Sequence, residues 1–365
     1  LEVQVDPKTR GVTVQPTVLS GVATRLEWDF GDQSATELRF KAEPVTHTYA
    51  VPAGYRVRLE ARGPSNNGVQ TATATVQVQL PDLSGRLPPS AEIEVTGASG
   101  TGPRHQYEVE CLTGGDGRVL WTVGDLDATR DQNKLTVTVD PGAIRVHCWV
   151  ETDYGLWAHD SVLLRNGALD ASCRLVPQPP AGAAPLEVTH VADVPIAAVA
   201  GATLKRDDGS PLLSGDTATH GAGFSSVTLS TALGSSARCS DRARVFAYEP
   251  PRFVSTPPQV SCGEQLSYVV DARGGELSVR SVDGVSFDPG ARTVKSEVVL
   301  ETRKLSFELE VKSPFDQAAQ VADMEVQCSG ELGRFRTTAC GCSSGGAGFS
   351  LTLLLLASLT RRRRR

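Results

Sequence analysis

Chemistry in this chain would have to come from its histidines, its acidic pairs or its cysteines, the residue types that ligate metals, move protons or attack electrophiles. The six histidines (His47, His105, His147, His159, His190 and His220) are scattered, and none lies four residues from another. The sequence holds no HExxH pair, P-loop or dinucleotide glycine motif. Asp29 and Asp32 flank Phe30-Gly31 and could serve as calcium ligands or an acid/base pair. Structural roles account for them as well, because a strand ending in Gly-Asp needs a residue free at positive φ and a carboxylate that bonds nearby amides. The run Asp125-x-Asp127-x-Thr129-x-Asp131 starts like a calcium loop. It has Arg130 where that loop needs glycine and Thr136 where it needs a bidentate glutamate, so a polar hairpin loop is expected. Asp207-Asp208-Gly209 reads as a turn. No catalytic, metal-binding or cofactor-binding residue is assigned, and the chain is expected not to be an enzyme. A site built from residues distant in sequence would escape such a search.

Eight cysteines form two groups. Cys111, Cys148, Cys173, Cys239, Cys262 and Cys328 are widely spaced, with no CxxC pair and no Cys/His cluster, which argues against zinc. Pairing them in order closes two loops of equal length, as the same bridge in two related modules would. This connectivity is a hypothesis among several. It implies an oxidising compartment, and each bridge would stabilise its domain by about 3–4 kcal/mol. Cys340 and Cys342 sit apart, around Gly341, near the C-terminus.

The elements that must position these residues are strands. Val76, Val78 and Leu80 alternate with polar residues, as do Leu135, Val137 and Val139, and Leu305, Phe307, Leu309 and Val311. With 35 glycines and 22 prolines breaking the chain into short runs, the body reads as all-β sandwiches. Proline clusters at 81–89 and 249–258, and a weaker boundary near 165–167, divide it into modules at 1–80, 84–166, 168–250 and 251–330, with a tail at 331–365. Proline-rich joints act as semi-rigid spacers, so the modules are expected to be strung out. Internal similarity supports the division: Trp28-Asp29-Phe30-Gly31-Asp32 is echoed by Trp121-Thr122-Val123-Gly124-Asp125, and Gly54-Tyr55-x-Val57-x-Leu59 by Gly223-Phe224-x-x-Val227-x-Leu229.

On Trp28-Asp29-Phe30-Gly31-Asp32, His47-Thr48-Tyr49 and Gly54-Tyr55-x-Val57-x-Leu59, the first module resembles the PKD (polycystic kidney disease) domain family, an immunoglobulin-like sandwich of extracellular proteins. It departs in having Gln33 where the family usually places a second glycine, which bears on turn geometry. The second module keeps Trp121, Gly124 and Asp125 and has a Cys–Trp–Cys order like that of immunoglobulin domains. The third looks like a degenerate member of the same group. The fourth, through Gly263-Glu264-x-Leu266-x-Tyr268 and Gly284-Val285-x-Phe287-Asp288-Pro289-Gly290, is similar to bacterial putative-Ig (cadherin-like) domains.

In the tail, Cys340-Gly341-Cys342 precedes Ser343-Ser344-Gly345-Gly346, an apolar run at 349–360 and five arginines at 361–365. That run is short for a permanent span, and the arginines would hold its end in the cytoplasm. The arrangement resembles the MYXO-CTERM sorting signal of myxobacterial surface proteins. The resemblance implies a short hydrophobic helix, cleavage near Cys340–Cys342 by a sorting protease, a lipid anchor and delivery to the outer membrane.

The net charge is −6 even with the five terminal arginines counted, so the body repels phosphate backbones and nucleic acid is not an expected partner. The chain opens on Leu1 with its one methionine at position 324, so either a leader has been removed or more chain precedes it. The expected function is a non-catalytic cell-surface structural or adhesive protein. It would present its modules to protein or polysaccharide and be anchored to the envelope through the processed tail. The alternatives are the stalk of a surface hydrolase whose catalytic domain lies upstream of Leu1, and calcium-dependent adhesion.

Overall fold

Alternation becomes burial wherever one face of a strand meets a second sheet. In Gly11–Gln15 it buries Val12 and Val14, and in Arg303–Lys312 it buries Leu305, Phe307, Leu309 and Val311. The computed structural model describes residues 1–65, 68–100, 103–130, 132–167, 173–195, 202–233 and 237–328, with the side chains of 127–130 excepted. Its regular elements there are all strands, an all-β architecture of tandem immunoglobulin-like and PKD-like sandwiches. The hydrophobic C-terminal helix and the Cys340-Gly341-Cys342 motif of the tail lie outside the described residues.

The chain forms two compact units, one made essentially of residues 1–251 and the other of 252–328 without two short segments, 273–276 and 312–317, that group with the first. The expectation that proline joints keep the modules apart fails for the first three. Their strands merge into one sheet of thirteen. Gly54–Ser65 of the first module lies parallel to Trp157–Asn166 of the second, with Gly54 opposite Ala158 and Tyr55 opposite His159. Gly142–Glu151 lies parallel to Ala237–Tyr248 of the third, with Gly142 opposite Arg238 and Ala143 opposite Cys239. Each of the three modules also has a three-stranded sheet of its own: Glu2–Asp6 with Gly11–Gln15 and Val45–Thr48, Ser90–Ser99 with His105–Gly114 and Lys134–Val139, and Arg174–Gln178 with Leu186–Asp193 and Thr217–His220.

Proline spacers lose here because the modules carry apolar surface that only their neighbours cover. One core cluster joins Trp28, Phe30, Tyr49 and Tyr55 to Trp149 and Trp157 of the second module and Phe246 of the third. Tyr55 stands edge-on to Trp157 at 5.7 Å, and Trp157 and Trp149 are 5.3 Å apart. Each such ring buries on the order of 150–250 Å², which outweighs the preference of a short linker for extension.

Both parallel joints turn on a glycine. A Cβ on Gly142, which has φ +131°, would run into the Arg238 carbonyl, and one on Gly54 would meet the Pro89 carbonyl and lie 2.8 Å from Ala158 Cβ. The second unit is built conventionally. Its core packs Leu266, Tyr268, Val294, Phe307 and Met324 between Gln265–Val269, Thr293–Val298 and Ser286–Asp288 on one side and Glu276–Asp283, Arg303–Lys312 and Gln317–Val326 on the other.

Disulfides join Cys111 to Cys148, Cys173 to Cys239 and Cys262 to Cys328. Gly142→Ala is expected to destabilise the first unit by about 3 kcal/mol, from overpacking and a strained φ together. Gly221→Ala, where a Cβ meets nothing within 4 Å, should be close to neutral. Urea unfolding followed by tryptophan fluorescence compares the two.

Candidate functional site

The densest grouping of chemically capable side chains lies where the first three modules meet. Trp149 pairs with His159 across the hairpin of Gly142–Glu151 and Trp157–Asn166, so alternation puts His147, Trp149, Trp157 and His159 on one face. That face turns toward the Phe30-Gly31-Asp32 corner of the first module and the Asp241 strand of the third.

His147 and His159 are both 3% exposed, which makes them interior groups and not surface ligands. His159 Nδ1 bonds the Gly31 carbonyl at 3.0 Å, His147 Nδ1 and His159 Nε2 are 2.9 Å apart, and His147 Nε2 is 2.7 Å from Asp241 Oδ1. The polarity of this chain is forced. A carbonyl only accepts, so His159 Nδ1 donates and its Nε2 accepts. His147 Nδ1 must then donate, and the bond from its Nε2 to Asp241 needs a further proton. Asp241 already accepts the Arg242 N–H at 2.8 Å and the Leu175 N–H at 2.6 Å. The middle of the chain is therefore a hydrogen-bonded histidine–carboxylate pair in the protein interior.

Burial alone would raise the Asp241 carboxyl. The charge and hydrogen bond of His147 and the nearby Arg145 overcome it and hold the group below its usual range. Burial, and then the charge of His147, push His159 down to about 3, so its ring is neutral.

Asp29 is held by Arg174, the residue after Cys173, through contacts of 3.2 and 3.3 Å. It also accepts the Gly31 N–H at 3.0 Å. Burial again opposes ionisation, but Arg174, the Gly31 amide and the more distant Arg145 and Arg58 set its pKa at about 2. Asp32 takes bonds from the Ser34 amide at 3.0 Å and from His47 at 2.8 Å. Thus the two acids that could have been calcium ligands or an acid/base pair are engaged, one by the third module and one by its own turn. Asp160 accepts the Ile93 and Ser161 amides, both at 2.8 Å, and burial raises its carboxyl despite Arg58 and Arg56 nearby.

Gln33 occupies the position where the family resemblance led to glycine. It adopts φ +66°, a left-handed conformation that costs a side-chain-bearing residue roughly 1–2 kcal/mol. Its buried amide compensates by clamping a backbone in the third module. Nε2 donates to the Arg244 carbonyl at 2.8 Å, and Oε1 accepts the Arg244 N–H at 3.0 Å. The Arg244 guanidinium in turn sits 4.0 Å from the Phe224 ring centre and 4.8 Å from that of Trp149, and pairs with Glu151 at 2.7 Å.

The cavity at the centre of this grouping, bounded by Asp29, Arg58, Arg145, His159, Asp160 and Arg174, measures about 20 Å³, the space of one water molecule. The proton chain ends on a backbone carbonyl, and every acid has a cation or amide against it. The arrangement positions modules; it has no room to hold a substrate.

Among the described residues no group of three His, Cys, Asp or Glu side chains is placed to hold a metal ion. Asp127, Thr129, Arg130 and Asp131 of the calcium-like run fall outside the described side chains. Thr136 lies in Lys134–Val139, and Asp207-Asp208-Gly209 forms a turn in which Gly209 donates to the Arg206 carbonyl. A second histidine pair, His190 and His220, has its Nε2 atoms 3.1 Å apart inside the third module. Burial and then the His220 and Arg206 charges lower His190 to about 4. Neither pair is visible as a short-range motif. The hairpin register around Asp153-Tyr154-Gly155 was the signal available for the first.

Residues 9–80 match the family model described as the PKD domain. A search of curated proteins finds no match. Among solved structures the chain is similar to the Sidekick-1 immunoglobulin domains 1–4, at 14% identity over 88% of this chain and 95% of that one, with a TM-score of 0.27. It is also similar to the insect immune protein hemolin, at 10% identity over 89% and 98%, with a TM-score of 0.30.

Gln33→Ala should destabilise the first unit by about 2 kcal/mol, through loss of two buried hydrogen bonds with the φ strain retained, whereas Gln33→Gly should recover about 1 kcal/mol of that loss; urea denaturation of both variants checks the order. His159 and His190 are depressed from the ordinary 6.5 to about 3 and about 4. Below pH 6.5 the unfolded chain therefore binds protons that the folded one does not. Their contribution is present in full above that value and is lost as pH falls, by roughly 2 kcal/mol each between pH 7 and 5. Denaturant titrations at the two pH values measure the total, and His190→Gln should reduce the pH dependence.

Proposed function

We propose that the chain is a non-catalytic cell-surface protein of structural or adhesive type, which presents its sandwiches to protein or polysaccharide partners. The observation that carries this is the use made of its chemically capable residues. Asp29, Asp241, His147, His159, Arg174 and Gln33 hold module to module around a cavity of one water's volume. A unit stiffened in this way suits presentation of outward surfaces at a fixed geometry. The disulfides suit an oxidising exterior.

The finer reading concerns the tail. Cys340-Gly341-Cys342, the apolar run at 349–360 and the arginines at 361–365 support processing by a sorting protease of the MYXO-CTERM type, lipid attachment at a cysteine and anchorage at the outer membrane. Two anchoring signals together would give stable attachment.

Intact-mass spectrometry of the protein extracted from membranes tests the reading. The expected species ends near residue 342, carries lipid and has its six body cysteines oxidised. A soluble cytosolic chain still bearing all five terminal arginines and free thiols would sink the surface assignment. Hydrolytic turnover of a bound polysaccharide or protein by the purified chain would sink the non-catalytic one.

A further inference from the structure

The strand Gly68–Gln79 is the longest of the strands that end a sheet in the first unit, and it hydrogen-bonds only to Gly54–Ser65 among the described residues. Among the described residues no strand pairs with its other edge. Residues 68–75 are exposed on both faces. Edges of this kind are ordinarily blunted by charge, proline or brevity. Elsewhere in the unit they are: Glu37–Arg39 is short and charged, Pro211–Leu212 is shorter still and starts with proline, and Glu2–Asp6 has a carboxylate at each end. Gly68–Gln79 contains no charged residue and no proline.

We propose that this strand pairs antiparallel with the same strand of a second copy of the chain, about a two-fold axis at Thr73. The sequence from 71 to 75 is Thr-Ala-Thr-Ala-Thr, identical in either direction. Centred on Thr73, the pairing sets Thr71 against Thr75 and Ala72 against Ala74, and beyond them Gln70 against Val76. Residues facing outward on one copy meet residues facing outward on the other, so the backbone groups match in phase. Cross-strand threonine pairs are already used in this protein, at Thr13–Thr46 and Thr189–Thr217, with hydroxyls 3.0 and 2.9 Å apart. The Thr75 hydroxyl accepts a bond from Arg56 at 3.1 Å and keeps its own proton for the partner's Thr71.

The nearest charges, Arg58, Glu60 and Arg62, lie one strand inward. Across the joint, Glu60 would face its own copy three strand spacings away, about 14 Å, beyond the screening length of about 8 Å at physiological salt. The contact is isologous and closed, as a symmetric dimer requires. It supplies a protein partner for an adhesive chain but rests on the edge alone, so its failure and the failure of the surface reading are separate results.

Sedimentation velocity of the full chain over a concentration series, with Thr73→Lys and Thr73→Glu, tests it. The parent chain should form dimers. Each variant places like charges against each other on the axis, and should self-associate at least ten-fold more weakly with an unchanged melting temperature. An equimolar mixture of the two variants should restore dimers. Hydrogen exchange gives a readout free of substitutions: amides within 69–77 should gain protection as concentration rises. A parent chain that stays monomeric, open-ended oligomers, a dimer indifferent to both substitutions, or dimerisation without protection at 69–77 would overturn the proposal.

Discussion

Backbone can approach backbone at a parallel strand joint only if no side chain stands between, and the first unit depends on that condition being met twice. At Gly54 and again at Gly142 the neighbouring module occupies the space of the missing Cβ. Once those contacts exist, two strands that would each have been an edge become interior, and the thirteen-stranded sheet follows. The aromatic residues on either side then find cover. Trp149 and Trp157 would be half-wet in an isolated second module; here both are buried against Tyr55, Phe224 and Phe246. Steric permission at two glycines comes first, and hydrophobic burial supplies the free energy.

The charges at the junction act differently. A buried ion pair gains little over well-packed apolar residues, because desolvation offsets its Coulomb attraction, yet removing one partner costs several kcal/mol. Such pairs penalise wrong arrangements more than they reward the right one. Asp29 with Arg174, Asp241 with His147, and the Gln33 clamp on Arg244 each tie the first or second module to the third at a specific residue. A slipped register would leave several of them unpaired in the interior. The Cys173–Cys239 bridge supports the same geometry, since Arg174 follows one of its cysteines and Ala143 lies opposite the other.

Much of the fold was legible because it is written at short range. Period-two alternation marks strands that prove half-buried, and Trp28 and Phe30, separated by one residue, both point inward. The PKD-like motif carried the first module by itself. What escaped was long-range. A parallel joint involves two or three residues per strand, too few to leave a pattern, and glycine at position 142 looks like any other turn glycine. His147 and His159 belong to facing strands, and their partner Asp241 is nearly a hundred positions on, so no spacing rule finds the chain they form. In the sequence Gln33 is only a departure from glycine. That its amide grips another module depends on where that module sits, and no local property of the turn encodes this.

The Gln33 clamp also bears on how such a module could have been acquired or could be moved. Cut out at residue 80, the first sandwich would carry away a glutamine in a backbone conformation suited to glycine, an aspartate stripped of its arginine and a tyrosine ring facing water. Recombination that treats modules as interchangeable beads would therefore fail here: the inheritable piece is the trio, and shuffling could occur only at its borders.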